Sequence, residues 1–530
     1  MATLRTKSPN REGRLGPLSY CSLLQEEYEG ATSIDDRKEK GQVFTPPGVC
    51  RYMAWLFSDV PQTFKLLDPG AGLGTLTAAV CERVLSLRSP RKLEAHLYET
   101  DPLVRPLLEK TMNHCRDMLR SAGHGFSFTI EPGDFIVDGP RGLSSAPSLF
   151  DSRESYDAVI MNPPYFKVGA GSPHARAMAD TLKGHTNIYP LFMARAAELL
   201  RPEGEMVAIT PRSFCNGLYF REFRRWFFSE VDLSHVHLFE CRRSTFEDVL
   251  QESVITLTRR TRDHAPDIHI TTSRGRDIPE SPARLSVPRA RVLREESNDV
   301  IVYIPTSEPD AEILKLTDSW PDRFSEVGLG VSTGPVVMFR TEEFLRPTPN
   351  GPGTAPLIGP HNVKPFETVW PLERKNKPAA FVVSPESAKH LVPTRNYVLL
   401  RRFTAKEEKR RLVASCYLKS RNANPHLAIE NHVNYVYHGS RELSEDEVFG
   451  LAALFNSALF DSYFRIMSGN TQVNATELRM MKFPHLETIA AIGKRVRALG
   501  TMRAESVEAA VLDELGINGR MASHFTEAAL

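Results

Sequence analysis

The sequence predicts an α/β fold, a mostly parallel sheet wound with helices, followed by a second, mixed α+β region. Three observations predict it. Strand-like and helix-like runs alternate through the first half of the chain. A three-glycine turn, Asp68-Pro69-Gly70-Ala71-Gly72-Leu73-Gly74, joins the first such pair, and a later apolar run, Asp157 to Met161, stops at Asn162-Pro163-Pro164-Tyr165. A glycine turn between strand and helix opens a nucleotide-type unit, because glycines let the backbone approach a ligand closely. Two successive prolines have no N–H for a ladder, so the strand must end there in a stiff loop. Open α/β sheets place their ligand sites at strand carboxyl ends of this kind.

Composition sets outer bounds. At 530 residues the chain has room for two or three domains. A net charge of +1 excludes a global basic signature, so nucleic-acid binding needs a local cluster. The seven cysteines are scattered without a C-x-x-C pair, which points to reduced thiols rather than a zinc site or disulfide framework. No metal ligand set is read. No apolar run reaches spanning length, and the polar N-terminus lacks the apolar core of a signal peptide, so no membrane partner and a cytoplasmic location are expected.

Taken in order, residues 1–33 read as a loosely ordered extension, with a polar helical pattern from about Tyr20. A catalytic domain follows over 34–262. Phe44-Thr45-Pro46-Pro47 precedes an apolar helix from Val49 to Phe57. Thr45 either caps that helix or, with Phe44, lines one end of a cofactor cavity. A strand ends at Asp68, and a helix runs from Thr75 to about Leu87. The next strand, Lys92 to Leu97, leads to Glu99 and Asp101, where such a unit places its ribose partner; Glu99 is nearer the strand end. A helix spans Pro102 to Leu119, then a strand Phe126 to Ile130. Asp134 after it reads either as an acceptor for an adenine amino group, with Phe135 flanking the ring, or as a surface-turn acid. Beyond a serine-rich loop comes the Asn162 loop. Its amide, proline-bounded carbonyls and aromatic ring are the set that an exocyclic amine on a planar base requires. A helix (Leu191 to Leu200), a strand (Glu205 to Ile209), an aromatic and basic helix (Leu218 to Phe228) and strands at Val236 to Phe239 and Val254 to Thr258 bring the sheet to about seven strands.

Residues 263–299, rich in Arg, Asp, Pro and Ser, read as a linker. A second domain follows over 300–485, with β-prone runs at Val300 to Ile304, Val331 to Phe339, Ala380 to Val383, Tyr397 to Phe403 and Val433 to Tyr437. Helices are expected at Thr404 to Arg411 and Phe449 to Phe464, and a helical tail over 486–530. Arg401, Arg402, Lys406, Lys409, Arg410, Arg411, Lys419 and Arg421 lie close in sequence. They form either a solvated face or a patch that contacts backbone phosphates.

Phe44-Thr45-Pro46-Pro47, the glycine turn, Tyr98-Glu99-Thr100, Gly133-Asp134-Phe135 and Asn162-Pro163-Pro164-Tyr165 occur in this order. The series resembles the gamma-class DNA adenine-N6 methyltransferases of restriction–modification systems, and among them the type II modification enzymes of the PstI kind. The match is strong over residues 35–260. It is looser over 390–485, through Tyr397 to Phe403 and Ser468 to Pro484. The resemblance implies a Rossmann-like S-adenosylmethionine-dependent methyltransferase domain with a C-terminal mixed α+β target-recognition domain. It implies that Phe44 and Thr45 contact the methionine part of S-adenosylmethionine, that Asp68, Gly70, Gly72 and Gly74 form its loop, that Glu99 holds the ribose, and that Asp134 and Phe135 hold the adenine. Asn162 and the Pro163 carbonyl would accept hydrogen bonds from the target amine in a flipped base. Pro164 would stiffen the loop, and Tyr165 would stack on the base. Phe220 fits the second stacking aromatic, with Tyr219 as the alternative. Double-stranded DNA is the implied partner, and a cognate restriction endonuclease in the same system is compatible with it. Asn-Pro-Pro-Tyr also occurs in methyltransferases acting on protein glutamine or RNA. The motif upstream of the glycine turn and the long second domain favour DNA.

Overall fold

The computed structural model describes residues 15–33, 44–140, 155–182, 187–239, 252–279, 281–296, 298–320, 322–349, 351, 353–372, 377–404, 408–469 and 472–529. The chain divides into two compact units, Met1–Thr306 and Ser307–Leu530.

The first unit is built on one sheet, to which the described residues contribute nine strands: β1 (Thr63–Pro69), β2 (Lys92–Tyr98), β3 (Gly125–Glu131), β4 (Tyr156–Met161), β5 (Leu200–Pro211), β6 (Asp232–Phe239), β7 (Ser253–Arg259), β8 (Asp267–Ser273) and β9 (Arg284–Pro288). Their order is β3-β2-β1-β4-β5-β7-β6-β8-β9. The first five strands in that order run parallel, and β7 is antiparallel to both neighbours. The order reverses at β1, whose Leu66 and Leu67 stand opposite Ala158 and Val159 of β4. The glycine turn and the Asn162 loop therefore leave the sheet side by side, at the switch point where such sheets bind ligands.

Both faces are covered, which is why Ala158 to Met161 of β4 and Met206 to Ile209 of β5 are uninterrupted apolar runs. One core packs α1 (Pro17–Ala31), α2 (Pro47–Leu56), α3 (Thr75–Leu85) and α4 (Arg105–Ser121) on the sheet, through residues such as Leu18, Met53, Val80 and Leu108. The other packs α6 (Tyr189–Leu199) and α7 (Arg221–Glu230), through Phe192, Phe223 and Phe227. A one-turn helix, α5 (Pro173–Ala177), is N-capped by Ser172. A hairpin of β10 (Leu293–Glu296) and β11 (Asp299–Val302) ends the unit.

Two sequence expectations change here. The extension is not loose over α1: Leu18, Cys21, Leu24 and Tyr28 are buried at helical spacing. The linker is not a linker, because β8 and β9 extend the sheet through it. Ile268 and Ile270 alternate with polar neighbours, as a strand near a sheet edge requires.

The second unit carries a six-stranded sheet that includes Leu329–Thr333, Tyr397–Arg401, Ala414–Tyr417 and Val433–His438, and a five-stranded sheet that includes Thr354–Ile358, Ala380–Val382 and His426–Ile429. The expected single helix over Phe449 to Phe464 is two, Glu445–Asn456 and Ala458–Met467, because Ser457 leaves the helical conformation and caps the second with its hydroxyl. Residues 404 and 408–411 are not helical; Lys406 lies outside the described residues. The tail forms three helices, Leu486–Arg497, Ala504–Glu514 and Gly519–Ala529. Among the described residues no helix is long and apolar enough to cross a membrane.

The basic cluster is not one patch. Strand 397–401 pairs antiparallel with strand 414–417, which puts Arg401 beside Val413 and Lys419 beside Asn396, at opposite ends of the pair. Several members also have internal work. Arg401 donates to the Val363 carbonyl and pairs with Glu408. Arg402 reaches the Asn431 carbonyl, and Arg410 reaches the Asn456 carbonyl. Arg411 is half-buried, and Lys409, Lys419 and Arg421 are exposed.

Candidate active site

The glycine turn folds back under its own strand. Gly70, Gly72 and Gly74 all have positive φ, at 119°, 54° and 82°. At Gly74 the left-handed φ disfavours any side chain, and an added Cβ would also stand 2.7 Å from the side-chain ends of Leu108 and Met112 of α4, which would have to shift. Glu99, at the end of β2, ties the turn down: its carboxylate accepts from the Gly72 N–H at 2.9 Å and the Asp101 N–H at 2.8 Å. Burial raises the Glu99 pKa. Asp68 lies below the turn, fully buried, with one oxygen accepting from the Thr77 hydroxyl at 2.7 Å. Its other oxygen has no hydrogen-bond partner among the described residues.

Desolvation, with the Glu99 charge adding to it, pushes the Asp68 carboxyl up to about 7. A raised acid stabilises the fold below its unfolded value and loses that contribution as pH rises through the folded one. Asp68→Asn keeps an acceptor for Thr77 and cannot ionise. We expect it to raise the thermal midpoint relative to the native chain at pH 8, with the gain fading toward pH 4; a gain that grows on acidification would contradict this.

Above the turn is a cavity of about 420 Å³, within the ~300–1,000 Å³ of small-molecule sites. Phe44, Thr45, Gly70, Gly72, Glu99, Asp134, Phe135, Asn162 and Pro164 all line it, so motifs scattered along the sequence meet at one place. Asp68 and Gly74 support the turn from behind. Phe135 is buried, edge-on to Tyr98 at 5.2 Å and tilted on Phe192 at 5.4 Å, and forms one apolar wall. Asp134 takes the Ile136 and Val137 N–H groups on one oxygen, at 2.8 and 3.0 Å, so it closes a turn, and it also lines the cavity. Apolar walls, glycine backbone and acidic groups at one end suit a cationic nucleoside.

Asn162 joins the two loops. Its Nδ2 donates to the Thr45 hydroxyl at 3.0 Å, and its Oδ1 accepts from the Tyr165 hydroxyl at 2.6 Å. The amide is thereby held in one orientation, with Thr45 acting on it as well as lining the cavity. The Tyr165 hydroxyl is also 3.0 Å from the Ile209 carbonyl, and burial raises its pKa, so it stays a donor. Tyr165→Phe keeps the ring and loses this bond. We expect the single-turnover rate to fall ~10-fold, with substrate affinity within about twofold; an unchanged rate would show that the hydroxyl does not orient the amide.

Phe220 does not line the cavity. It is buried and lies tilted on Tyr189 at 5.6 Å, and Tyr189 stands edge-on to Tyr165 at 6.2 Å. The turn at Gly217 directs Phe220 inward and leaves Tyr219 73% exposed. Sequence reading passed over Phe166, His174 and Phe192, which also line the cavity. The helix expected from about Tyr20, α1, was given no part in the site, yet its Cys21 thiol reaches the Leu73 carbonyl and its Tyr28 meets Phe44 edge-on at 5.8 Å. The α1 residues had a signal in their helical spacing; His174, in a Gly- and Ser-rich stretch, had none.

The Eco57I restriction-modification methylase family matches residues 125–246. The type II methyltransferase M.BsuBI of Bacillus subtilis is 34% identical over 496 residues, covering 92% of this chain and 96% of its own. M.PstI of Providencia stuartii, also a type II methyltransferase, is 34% identical over 487 residues, covering 91% and 94%. The solved structure of the type IIL restriction-modification enzyme MmeI in complex with DNA shares the fold at a TM-score of 0.53 and 9% identity, covering 98% of this chain and 82% of its own. With the glycine turn, the Asn162 loop and this end-to-end similarity together, the chain belongs to the type II methyltransferases of restriction–modification systems.

Proposed function

We propose that this type II methyltransferase moves the methyl group of S-adenosylmethionine to the N6 amine of an adenine flipped out of duplex DNA, and that it does so in the cytoplasm as the modification enzyme of a restriction–modification system. The observation that carries this reading is the Thr45–Asn162–Tyr165 chain of hydrogen bonds, which fixes an amide at the rim of the glycine-turn cavity. When bound, S-adenosylmethionine supplies a methyl group on a positively charged sulfur. Phe44 and Thr45 would hold its methionine end, Asp68, Gly70, Gly72 and Gly74 would form its loop, Glu99 would hold its ribose, and Asp134 and Phe135 its adenine.

The chain's own part is positioning. A conjugated ring amine is a poor nucleophile. Accepting its two hydrogens, on Asn162 Oδ1 and the Pro163 carbonyl, favours a pyramidal nitrogen with its lone pair directed into the cavity. An amide takes no proton near neutral pH, so Asn162 orients the amine and does not act as a base. A stacked base cannot reach the loop, and flipping costs a few kcal/mol, of which stacking on Tyr165 returns ~1–3 kcal/mol. The exposed Tyr219, rather than the buried Phe220, is available for the second face. The second unit reads the target, with the exposed Lys409, Lys419 and Arg421 as its phosphate contacts.

The same acceptors suit cytosine N4, and the test must separate the two amines. Duplex DNA methylated with labelled cofactor, digested to nucleosides and separated, should carry the label on N6-methyl-2′-deoxyadenosine. Label on a cytosine derivative, or incorporation only into RNA or protein, would overturn the reading.

A further inference from the structure

Asp134 has a partner that its motif does not contain. His174, on α5, lines the same cavity and places Nε2 3.0 Å from Asp134 Oδ2. A carboxylate only accepts, so the ring nitrogen is the donor. The Ser172 hydroxyl caps α5 by accepting from the Ala175 N–H at 3.1 Å, and the Phe166 ring meets the imidazole edge-on at 6.0 Å, so the donor is itself held in place.

The acceptor places of this carboxylate can be accounted for. Each oxygen has two. Oδ1 is filled by the Ile136 and Val137 N–H groups, which belong to its own turn. Those two bonds hold one oxygen and leave the carboxylate plane free to swing about it. His174 stops the swing, because only one orientation of Oδ2 meets Nε2. Among the described residues, one acceptor place on Oδ2 then remains, on a group that lines the cavity. A lone acceptor welcomes an N–H and repels a carbonyl oxygen.

We propose that His174 is a positioning residue that sets Asp134 to select a purine with a 6-amino group over one with a 6-oxo group in the cofactor cavity. This rests on the reading of the cavity as the S-adenosylmethionine site and adds to it a residue and a selectivity. Selection follows from the asymmetry of hydrogen bonding: a site built around a fixed polar group rejects the analogue that cannot pair with it.

The test is titration calorimetry of the full chain with S-adenosylhomocysteine and with its 6-oxo counterpart, S-inosylhomocysteine. The native chain should prefer the amino compound ~10–100-fold, as for a hydrogen bond to a charged group. His174→Ala should weaken binding of the amino compound about tenfold and shrink the preference to a few-fold, since the freed carboxylate can turn from the carbonyl. His174→Gln, which carries an N–H donor at a similar reach, should restore both. If His174→Ala keeps the native preference, or weakens both ligands equally and Gln does not restore selectivity, the imidazole merely packs and the proposal is wrong. A native chain that binds neither compound would overturn the cofactor reading itself, and this proposal with it.

Discussion

Asn162→Ala should reduce methylation of duplex DNA by ~10²–10³-fold or more, the cost of removing one preorganised partner from a reacting centre. The substitution deletes the amide held between the Thr45 and Tyr165 hydroxyls and leaves both hydroxyls without it. The glycine turn, Glu99 and Asp134 do not depend on that amide for their own bonds, so S-adenosylhomocysteine should bind within a few-fold of the native chain. The loss should therefore fall in the single-turnover rate and not in cofactor affinity. Asn162→Asp is the sharper comparison. It keeps the shape and an acceptor but cannot donate to Thr45 Oγ1, and it places a charge at the rim. Native activity in Asn162→Ala would remove the amide from the mechanism.

Asp299→Ala should cost ~3–5 kcal/mol of stability, because it leaves the Arg224 guanidinium charged and buried with no counter-ion among the described residues. Arg224 is fully buried on α7, with Nε 3.0 Å from Asp299 Oδ1 and a terminal nitrogen on Oδ2. The other terminal nitrogen donates to the carbonyls of Phe214 and Gly217, each at 2.8 Å. One side chain therefore fastens β11 to the segment that turns Phe220 inward and Tyr219 outward. The double variant Arg224→Met, Asp299→Leu separates these duties. Replacing a buried ion pair by apolar groups of similar volume is often neutral, so the urea midpoint should largely recover. Methylation should not, because the Phe214 and Gly217 carbonyls have lost their donor. A double variant that recovers both would reduce Arg224 to packing.

The parts of this fold that were legible from the residues are those where one physical requirement overrides context. Three closely spaced glycines after an apolar run, and two prolines after another, leave the backbone few choices, and both loops stand where they were expected. Their meeting was legible only through the resemblance, since no local property of Thr45 announces a bond to a residue 117 positions away. β8 and its edge neighbour β9 were missed because short strands set in a stretch rich in Arg, Asp, Pro and Ser look like linker. The basic cluster misled for a related reason. Sequence proximity across an antiparallel pair becomes separation in space, and burying a guanidinium against carbonyls gives it structural work that a charge count does not show. Phe220 and Tyr219 differ for a local reason: they are neighbours in sequence but one is buried and the other exposed, and the backbone at Gly217 decides which.

The central claim is that the glycine-turn cavity and the Asn162 loop act as one device on one base. The most direct measurement is a crystal structure of the full chain with a cognate duplex and sinefungin, whose amine stands where the methyl group would be. The account predicts an extruded adenine with its amino nitrogen within hydrogen-bond reach of Asn162 Oδ1 and ~3–3.5 Å from the sinefungin amine, the separation of a near-attack geometry. Sinefungin bound outside the cavity, or an adenine left stacked in the duplex with Asn162 facing no base, would contradict it.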